Sequence, residues 1–286
     1  MIPPYAILSH TWGQNEVRFR DVEEGTYNGD SAKIEGCCKQ TLSGGLEYIW
    51  IDTCCIDKSS STDVSEAINS MYAYYRDSKV CYAYLEDVST TENNQLVSLM
   101  RRSRWFTRGW TLQELIAPSS LIFFSRTWTR LGTRESYQVL VSEITGIQKD
   151  HLAGRAGQLS RASAARKMSW LAGRTTTRVE DMAYCMLGIF EINMPLLYGE
   201  GMKAFIRLQE ETIKVSHDHS IFCWTWLPTV PENWVSMLAP FPAVFRTLVI
   251  TLSPECRECW IRTPLPTLAS QFACPLSTHG STCMCG

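Results

Sequence analysis

Four short apolar runs within the first 125 residues constrain the fold more than any other feature of this sequence. They occupy residues 5–8, 48–51, 80–85 and 121–124. A strand with one face in water alternates apolar and polar residues, whereas a strand covered on both faces is apolar throughout. Stretches of helical periodicity separate the runs. This alternation of strand and helix predicts an α/β fold with a mostly parallel sheet flanked by helices.

The turns and helices between the runs predict where a functional edge would lie. Asp63, with Glu66 three residues later, predicts a capping box for a helix that runs to about Tyr75. A further helix is expected from about Ser103 to Pro118, because proline lacks the N–H needed to continue it. The loops after the first two strands, residues 9–13 and 52–57, should lie along the sheet edge at which open α/β sheets bind ligands.

The second half of the chain has a different pattern. Residues from about 160 to 215 show mostly helical periodicity, with a predicted capping box between Thr177 and Glu180. After Trp226 the sequence is rich in proline and cysteine and has no steady period, so loops or disorder are expected there. We therefore predict an α/β core at 1–130, a helical extension packed on it at 131–226, and an irregular tail of loops or disorder at 227–286.

Composition restricts the class of protein. The formal net charge is −2 and basic residues are scattered, which gives no electrostatic footprint for nucleic acid. No apolar run approaches the roughly 18 residues of a membrane span, and the N-terminus lacks the pattern of a secretory signal. The adjacent pairs Cys37–Cys38 and Cys54–Cys55 fit reduced thiols rather than a secreted disulfide framework. We expect a soluble, cytoplasmic protein that binds no nucleic acid.

Several of these stretches together resemble the fungal heterokaryon-incompatibility (HET) domain family. In the family's order they are residues 5–13 (YAILSHTWG), 50–58 (WIDTCCIDK), 65–72 (SEAINSMY) and 104–115 (RWFTRGWTLQEL). Residues 178–184 and 194–201 resemble the region that follows the domain in many members, which usually also carry a further N-terminal segment. The resemblance implies a trigger of programmed cell death in self/non-self recognition, part of fungal innate immunity. It also implies self-association and a sensor or signalling partner that the sequence does not identify.

The order of elements in the first half is also similar to that of Toll/interleukin-1 receptor (TIR) domains, which have a flavodoxin-like sheet. In those domains a Trp-Cys-x-x-Glu-Leu motif lies on the helix after the third strand. Residues 110–115, WTLQEL, occupy the corresponding place, with Thr111 in place of the cysteine. Enzymatic TIR domains cleave NAD with that glutamate, whereas many others only act as scaffolds. The resemblance therefore implies Glu114 as a candidate catalytic residue, NAD as a candidate substrate and no cofactor.

A single carboxylate suits this chemistry. Cleavage at the nicotinamide bond resembles glycoside cleavage through an oxocarbenium-like transition state, which a nearby carboxylate can stabilise. The leaving group is already cationic and departs neutral, so no general acid is needed. An aromatic ring could flank the nicotinamide, and an arginine could meet the pyrophosphate. The candidate substrate-binding residues are Ser9, His10, Trp12, Asp52, Arg108 and Trp110.

Each of these candidates has a purely structural alternative. Glu114 could be an exposed carboxylate or one half of a salt bridge, and the chain could be a non-catalytic module that assembles through homotypic contacts. His10 and Trp12 could serve packing at a strand end. Asp52 and Asp57 could hold ribose hydroxyls, although loop capping by Asx turns is the more common role.

Two further candidates involve cysteine and histidine. Cys54 or Cys55 could form a thiolate–imidazole pair with His10, against the alternative of buried, inert thiols. A zinc site could involve Cys256 and Cys259, but only one CxxC is present and the other spacings are irregular. The sequence therefore predicts no metal site. The pair His217 and His219 is expected in a solvated loop.

Overall fold

A computed structural model describes residues 2–26, 31–89, 93–152 and 159–246. Within these ranges one sheet contains β1 (Tyr5–His10), β2 (Tyr48–Trp50), β3 (Val80–Leu85), β4 (Leu121–Ser125) and β5 (Arg130–Thr133). The strand order is β2-β1-β3-β4-β5, with the first four strands parallel and β5 antiparallel to β4. The four strands predicted from apolar runs and the mostly parallel α/β architecture are confirmed.

The helices of the described ranges lie between and after these strands. Those that precede β4 are α1 (Phe19–Glu23), α2 (Ser31–Ser43), α3 (Asp52–Cys55), α4 (Ser61–Asp77), α5 (Asn93–Arg102) and α6 (Thr111–Ile116). Those that follow β5 are α7 (Gln138–Thr145), α8 (Lys149–Leu152), α9 (Ala164–Ser169), α10 (Asp181–Tyr184), α11 (Leu187–Phe190) and α12 (Lys203–Val215). No helix in the described ranges combines the length and the apolarity that a membrane span requires.

Apolar side chains cover both faces of the sheet. Successive residues of a strand point to opposite faces, so neighbouring residues of β1 enter different clusters. On β1, Ile7 enters a large cluster with α4, α6 and the helices after β5. Its neighbours Ala6 and Leu8 enter a smaller cluster that includes Cys37 of α2. This two-sided burial explains why the strands are continuously apolar. It also places Ser9 on the face of Ile7 and His10 on the face of Leu8.

The helix starts and interruptions differ from the predictions at two places in the first half. Helix α4 begins at Ser61 and is capped by Ser60, whose Oγ accepts the Asp63 N–H at 3.2 Å. The predicted capping box at Asp63 is therefore wrong, because Ser60 takes the capping role and Asp63 lies inside the first turn. Between 103 and 118 the chain forms a 3-10 turn, Arg104–Thr107, and then α6 rather than one helix.

A contact with a distant segment causes the second interruption. Arg108 is extended and forms a parallel β-bridge with Thr175. The Gly109 N–H donates to the Thr175 carbonyl at 2.8 Å, and the Thr175 N–H donates to the Thr107 carbonyl at 2.7 Å. A side chain at Gly109 would collide with Thr176, since its Cβ would lie 2.5 Å from that residue's Cγ2. The glycine therefore allows two backbone segments to meet and holds the start of α6.

The helices after β5 pack on the same core as the sheet. Helix α12 agrees with the predicted helical periodicity, but the capping box between Thr177 and Glu180 is wrong. The Glu180 carboxylate instead accepts the backbone N–H groups of Gly199 and Gly201, at 2.8 and 3.0 Å. The division into 1–130, 131–226 and 227–286 remains a prediction. Strand β5 spans its first boundary, and residues 247–286 lie outside the described ranges.

Candidate functional site

The strand order places a switch point at the carboxyl end of β1. The chain passes from β1 to β2 on one side and then to β3 on the other, so the connections diverge at this strand. Open α/β sheets bind ligands at such a switch point, outside the carboxyl ends of the strands. Ser9 and His10 end β1, and Asp52 begins α3 two residues after the end of β2. Three of the predicted substrate-binding residues therefore lie at this edge.

Glu114 is anchored to the end of β1. It lies in the first turn of α6, and its Oε2 accepts a hydrogen bond from Ser9 Oγ at 2.5 Å. Ser9 Oγ in turn accepts the Trp105 indole N–H at 2.8 Å. The Tyr75 hydroxyl, which donates to the Leu8 carbonyl at 3.0 Å, is also within hydrogen-bonding reach of the carboxyl. Glu114 is only 8% exposed, so its assignment as an exposed carboxylate or surface salt bridge is wrong.

Burial decides the charge of this carboxyl group. It raises the pKa of Glu114 to about 8, and the hydrogen bond from Ser9 opposes the increase. The negative charge of Asp52 adds to the increase, whereas Tyr75 and the positive charge of Arg174 oppose it. Desolvation disfavours the charged form of an acid, so the carboxyl is mostly protonated at neutral pH. In this closed arrangement Glu114 is a neutral hydrogen-bonding group.

A second polar cluster lies on the opposite face of β1. The His10 Nε2 atom is 3.4 Å from Glu16 Oε2, and Lys33 Nζ is 2.6 Å from Glu16 Oε1. Burial would raise the pKa of Glu16, but the nearby His10 ring and the hydrogen bonds from the Gly13 N–H and Lys33 outweigh it and lower the pKa to about 2. Glu16 therefore stays ionised and lies against the His10 ring. Glu16 and Lys33 were not recognised from the sequence, because neither lies in a strand-end loop motif.

An exposed aromatic ring lies at the same edge. The Trp12 indole N–H donates to Asp52 Oδ2 at 2.7 Å, and the ring is half exposed. Lys58 Nζ lies 3.5 Å from the ring centroid, a cation–π geometry. Asp52 Oδ1 lies 3.8 Å from His10 Nδ1 and thus connects this set with the His10 cluster. Lys58 was also missed, although it ends the strand-end stretch WIDTCCIDK.

The other two predicted binding residues point elsewhere. Arg108 Nη1 donates to Thr177 Oγ1 at 3.2 Å, and the Trp110 indole lies near the Asp181 carboxyl, where it opposes the rise in pKa that burial causes. The predicted pocket therefore divides into the Ser9–Glu114 pair, the His10–Trp12–Asp52 group, and two residues that lie near residues 177 and 181. Asp57 accepts both the N–H and the hydroxyl of Ser59, as its structural alternative predicted.

Arg174 supports the helix that carries Glu114, and no sequence motif indicates it. Its Nη1 donates to the Arg108 carbonyl at 2.8 Å and lies 2.9 Å from Thr111 Oγ1. The Thr111 hydroxyl donates to the Trp105 carbonyl at 2.5 Å. Burial lowers the pKa of Arg174 to about 10, which leaves it charged at neutral pH. Thr111 is therefore part of a buried polar network.

The thiol and metal alternatives gain no support from the geometry. The His10 ring contacts Glu16 and Asp52 rather than a thiol, and burial raises the pKa of Cys54 to about 11. The cysteines in the described ranges are free thiols. Asp218, between the two histidines of the 217–219 segment, caps a 3-10 turn by accepting the Ser220 N–H. Cys256 and Cys259 lie outside the described residues.

Comparison with known proteins identifies the first third of the chain. Residues 5–102 match the family model described as Heterokaryon incompatibility protein (HET). This stretch is therefore similar to the HET domain. The match includes Ser9, His10 and Asp52 and ends before Glu114.

The chain is also similar to the vegetative incompatibility protein HET-E-1 of Podospora anserina, with 48% identity over 224 residues. The alignment covers 73% of this chain and 16% of that protein, so the chain spans about one sixth of the relative's length. No solved structure matches the chain.

Proposed function

We propose that the chain is the HET-domain part of a heterokaryon incompatibility protein that triggers programmed cell death on non-self recognition, with NAD cleavage by a TIR-like site at Glu114. The similarity to a vegetative incompatibility protein supports the biological role. One observation carries the chemical role: the Glu114 carboxyl is hydrogen-bonded to Ser9 at the switch point of the sheet. A ligand bound at that edge would lie next to the carboxyl.

The proposed reaction breaks the bond between the ribose C1′ and the nicotinamide nitrogen. Water supplies the oxygen that binds C1′, nicotinamide leaves as a neutral base with the bonding electrons, and one proton goes to solvent. Ionised Glu114 would stabilise the positive charge that develops on the ribose. Asp52 would hold ribose hydroxyls, and Trp12 with Lys58 offers an aromatic face and a positive charge for the rest of the dinucleotide.

The closed arrangement accounts for a latent enzyme. Glu114 is buried and mostly protonated, and a neutral carboxyl cannot stabilise a cation. Separation of Trp105 from the end of β1 would admit water and lower the pKa of Glu114 toward its ordinary value. A cationic nicotinamide ring would lower it further. Self-association or a signalling partner that favours the open arrangement would therefore switch on the activity.

The same burial favours a second candidate. A neutral glutamate fixed by Ser9 and Tyr75 is also what a purely structural network requires. On this alternative the HET domain is a non-catalytic module, and its surface assembles homotypically or binds a signalling partner. NAD cleavage requires the ionised form of Glu114, whereas the assembly module does not.

Free nicotinamide, measured after incubation of the crowded or oligomerised full chain with NAD, distinguishes the candidates. We expect activity that increases from about pH 6 to 8.5, because opening of the site releases the proton that Glu114 holds in the closed arrangement, and that falls at least about 100-fold in Glu114→Gln. Cys55→Ser tests the thiol alternative, and Glu211→Gln, at a partly exposed carboxylate of α12, is a matched control. Both controls should retain activity. Absence of nicotinamide release, together with cell killing by Glu114→Gln, would favour the assembly module.

A further inference from the structure

A second polar cavity lies next to Arg174, on a part of the molecule that the proposed reaction does not use. Its volume is about 270 Å³, and its described lining includes Arg174, Arg246 and Trp170. Phe106 and Ile144 contribute apolar wall, and the described lining contains no acidic side chain. Pockets for drug-sized ligands start at about 300 Å³, so the cavity suits a small group.

Two buried donors at this cavity have no partner among the described residues. They are Arg174 Nη2 and the Trp170 indole Nε1, on side chains that are 5% and 2% exposed. Arg174 uses only its Nη1 for the Arg108 carbonyl and Thr111. An unsatisfied buried donor costs about 1–3 kcal/mol, and more when it is charged, so such groups commonly mark a water or ligand site.

A second guanidinium group, that of Arg246, lines the same cavity. Its Nη2 lies 2.9 Å from the point that a Cβ on Gly173, the neighbour of Arg174 in the chain, would occupy. Neither arginine forms a salt bridge with an acid in the described ranges. Two positive charges that converge on one cavity without an acid repel each other unless an anion lies between them.

From this arrangement we propose that the cavity is a binding site for a small oxyanion, held by the Arg174 and Arg246 guanidinium groups and the Trp170 indole N–H. Guanidinium groups bind carboxylate and phosphate through paired charge-assisted hydrogen bonds. The Thr145 and Ser169 hydroxyls at the rim already donate to helix carbonyls, so the donors for an anion are these three side chains. The proposal holds whether or not Glu114 cleaves NAD.

Calorimetric titration of the full chain with inorganic phosphate, in a buffer of low and constant ionic strength, tests the site. Acetate is the carboxylate arm, and chloride controls for ionic strength. Tighter binding of phosphate identifies a phosphoryl ligand, and tighter binding of acetate a carboxylate. We expect Arg246→Gln to weaken binding at least about tenfold, because a charge-assisted hydrogen bond is lost. We expect Trp170→Phe to weaken it about three- to tenfold.

Arg130→Gln, which removes an exposed charge on β5, is the matched control and should bind as the wild type does. Arg246 is exposed, so its substitution should leave the fold intact, which circular dichroism can verify. The proposal is overturned if neither phosphate nor acetate binds more tightly than chloride. It is equally overturned if Arg246→Gln and Trp170→Phe both keep the wild-type affinity.

Discussion

The buried carboxyl of Glu114 should make the stability of the protein depend on pH in a way that one substitution removes. Its pKa is about 8 in the folded chain, against an ordinary value of 4.5. Between these values the folded chain retains a proton that the unfolded chain has released. The stabilisation is therefore fully present below about pH 4.5 and is lost as pH rises towards 8. Glu114→Gln replaces the neutral acid by a neutral amide of the same shape.

The size of the effect follows from the two pKa values. When the folded and unfolded pKa differ by one pH unit, the free energy of unfolding changes by about 1.4 kcal/mol, so the complete loss is at most about 5 kcal/mol. Between pH 5.5 and 7.5, linkage gives a loss of about 2.5 kcal/mol in the wild type that the variant does not share. The variant and the wild type share all other titrating groups, so the contributions of those groups cancel in the difference between the two free energies of unfolding. Glu114→Gln should therefore match the wild type below about pH 4.5, be more stable by about 1.4 kcal/mol at pH 5.5 and be more stable by about 4 kcal/mol at pH 7.5.

Urea unfolding at both pH values, followed by circular dichroism, measures this difference. Glu211→Gln, on the exposed side of α12 and paired with Lys214, is the control and should show no such pH dependence. A difference between Glu114→Gln and wild type that stays constant within about 0.5 kcal/mol would contradict the raised pKa of Glu114. Glu114 would then be ionised and hydrated in solution, and the latent site would be an open one.

Three further substitutions test other parts of the structure by urea unfolding. Glu16→Gln should lower the free energy of unfolding by about 1–2 kcal/mol at pH 7, after allowance for solvent screening. This difference from the wild type should shrink as pH falls from about 4.5 towards 2, because the low pKa of Glu16 stabilises the fold only above that window. Trp105→Phe should cost about 1–3 kcal/mol at any pH, since Ser9 loses a buried donor; an unchanged stability would mean that water replaces the indole. Gly188→Ala should cost about 3 kcal/mol or more, because its Cβ would lie 2.0 Å from the Tyr72 Cβ where α11 packs on α4; a smaller loss would show that these helices can separate.

The strands were predictable because a strand that is buried on both faces is a continuous apolar run in the sequence. A continuous apolar run needs no information from elsewhere in the chain, and all four predicted runs became parallel strands. Their order placed the loops after β1 and β2 at one edge. The opposite directions of Ser9 and His10 also follow from the two-residue period of a strand. That consequence was available from the sequence, although the predicted pocket placed both side chains together.

The helix boundaries were less predictable, because capping patterns compete with distant partners. Glu180 has the spacing of a capping box, yet the Gly199 and Gly201 N–H groups occupy its carboxylate. The break before α6 depends on pairing with Thr175, which lies in a distant segment of the chain. A pattern within one segment contains no information about such partners.

Local sequence patterns were enough to specify the sheet and the edge at which polar loops meet, whereas Glu114 was singled out as a candidate only by a resemblance to the TIR motif. Only the tertiary structure shows that the Glu114 carboxyl is buried, mostly protonated and hydrogen-bonded to Ser9. It also shows that Arg174 hydrogen-bonds to the start of the helix that carries Glu114. The difference arises because a pKa depends on the solvent and charges within a few ångströms of a group. Those neighbours, residues 9, 52, 75 and 174, come from four separate segments that meet only in the folded chain.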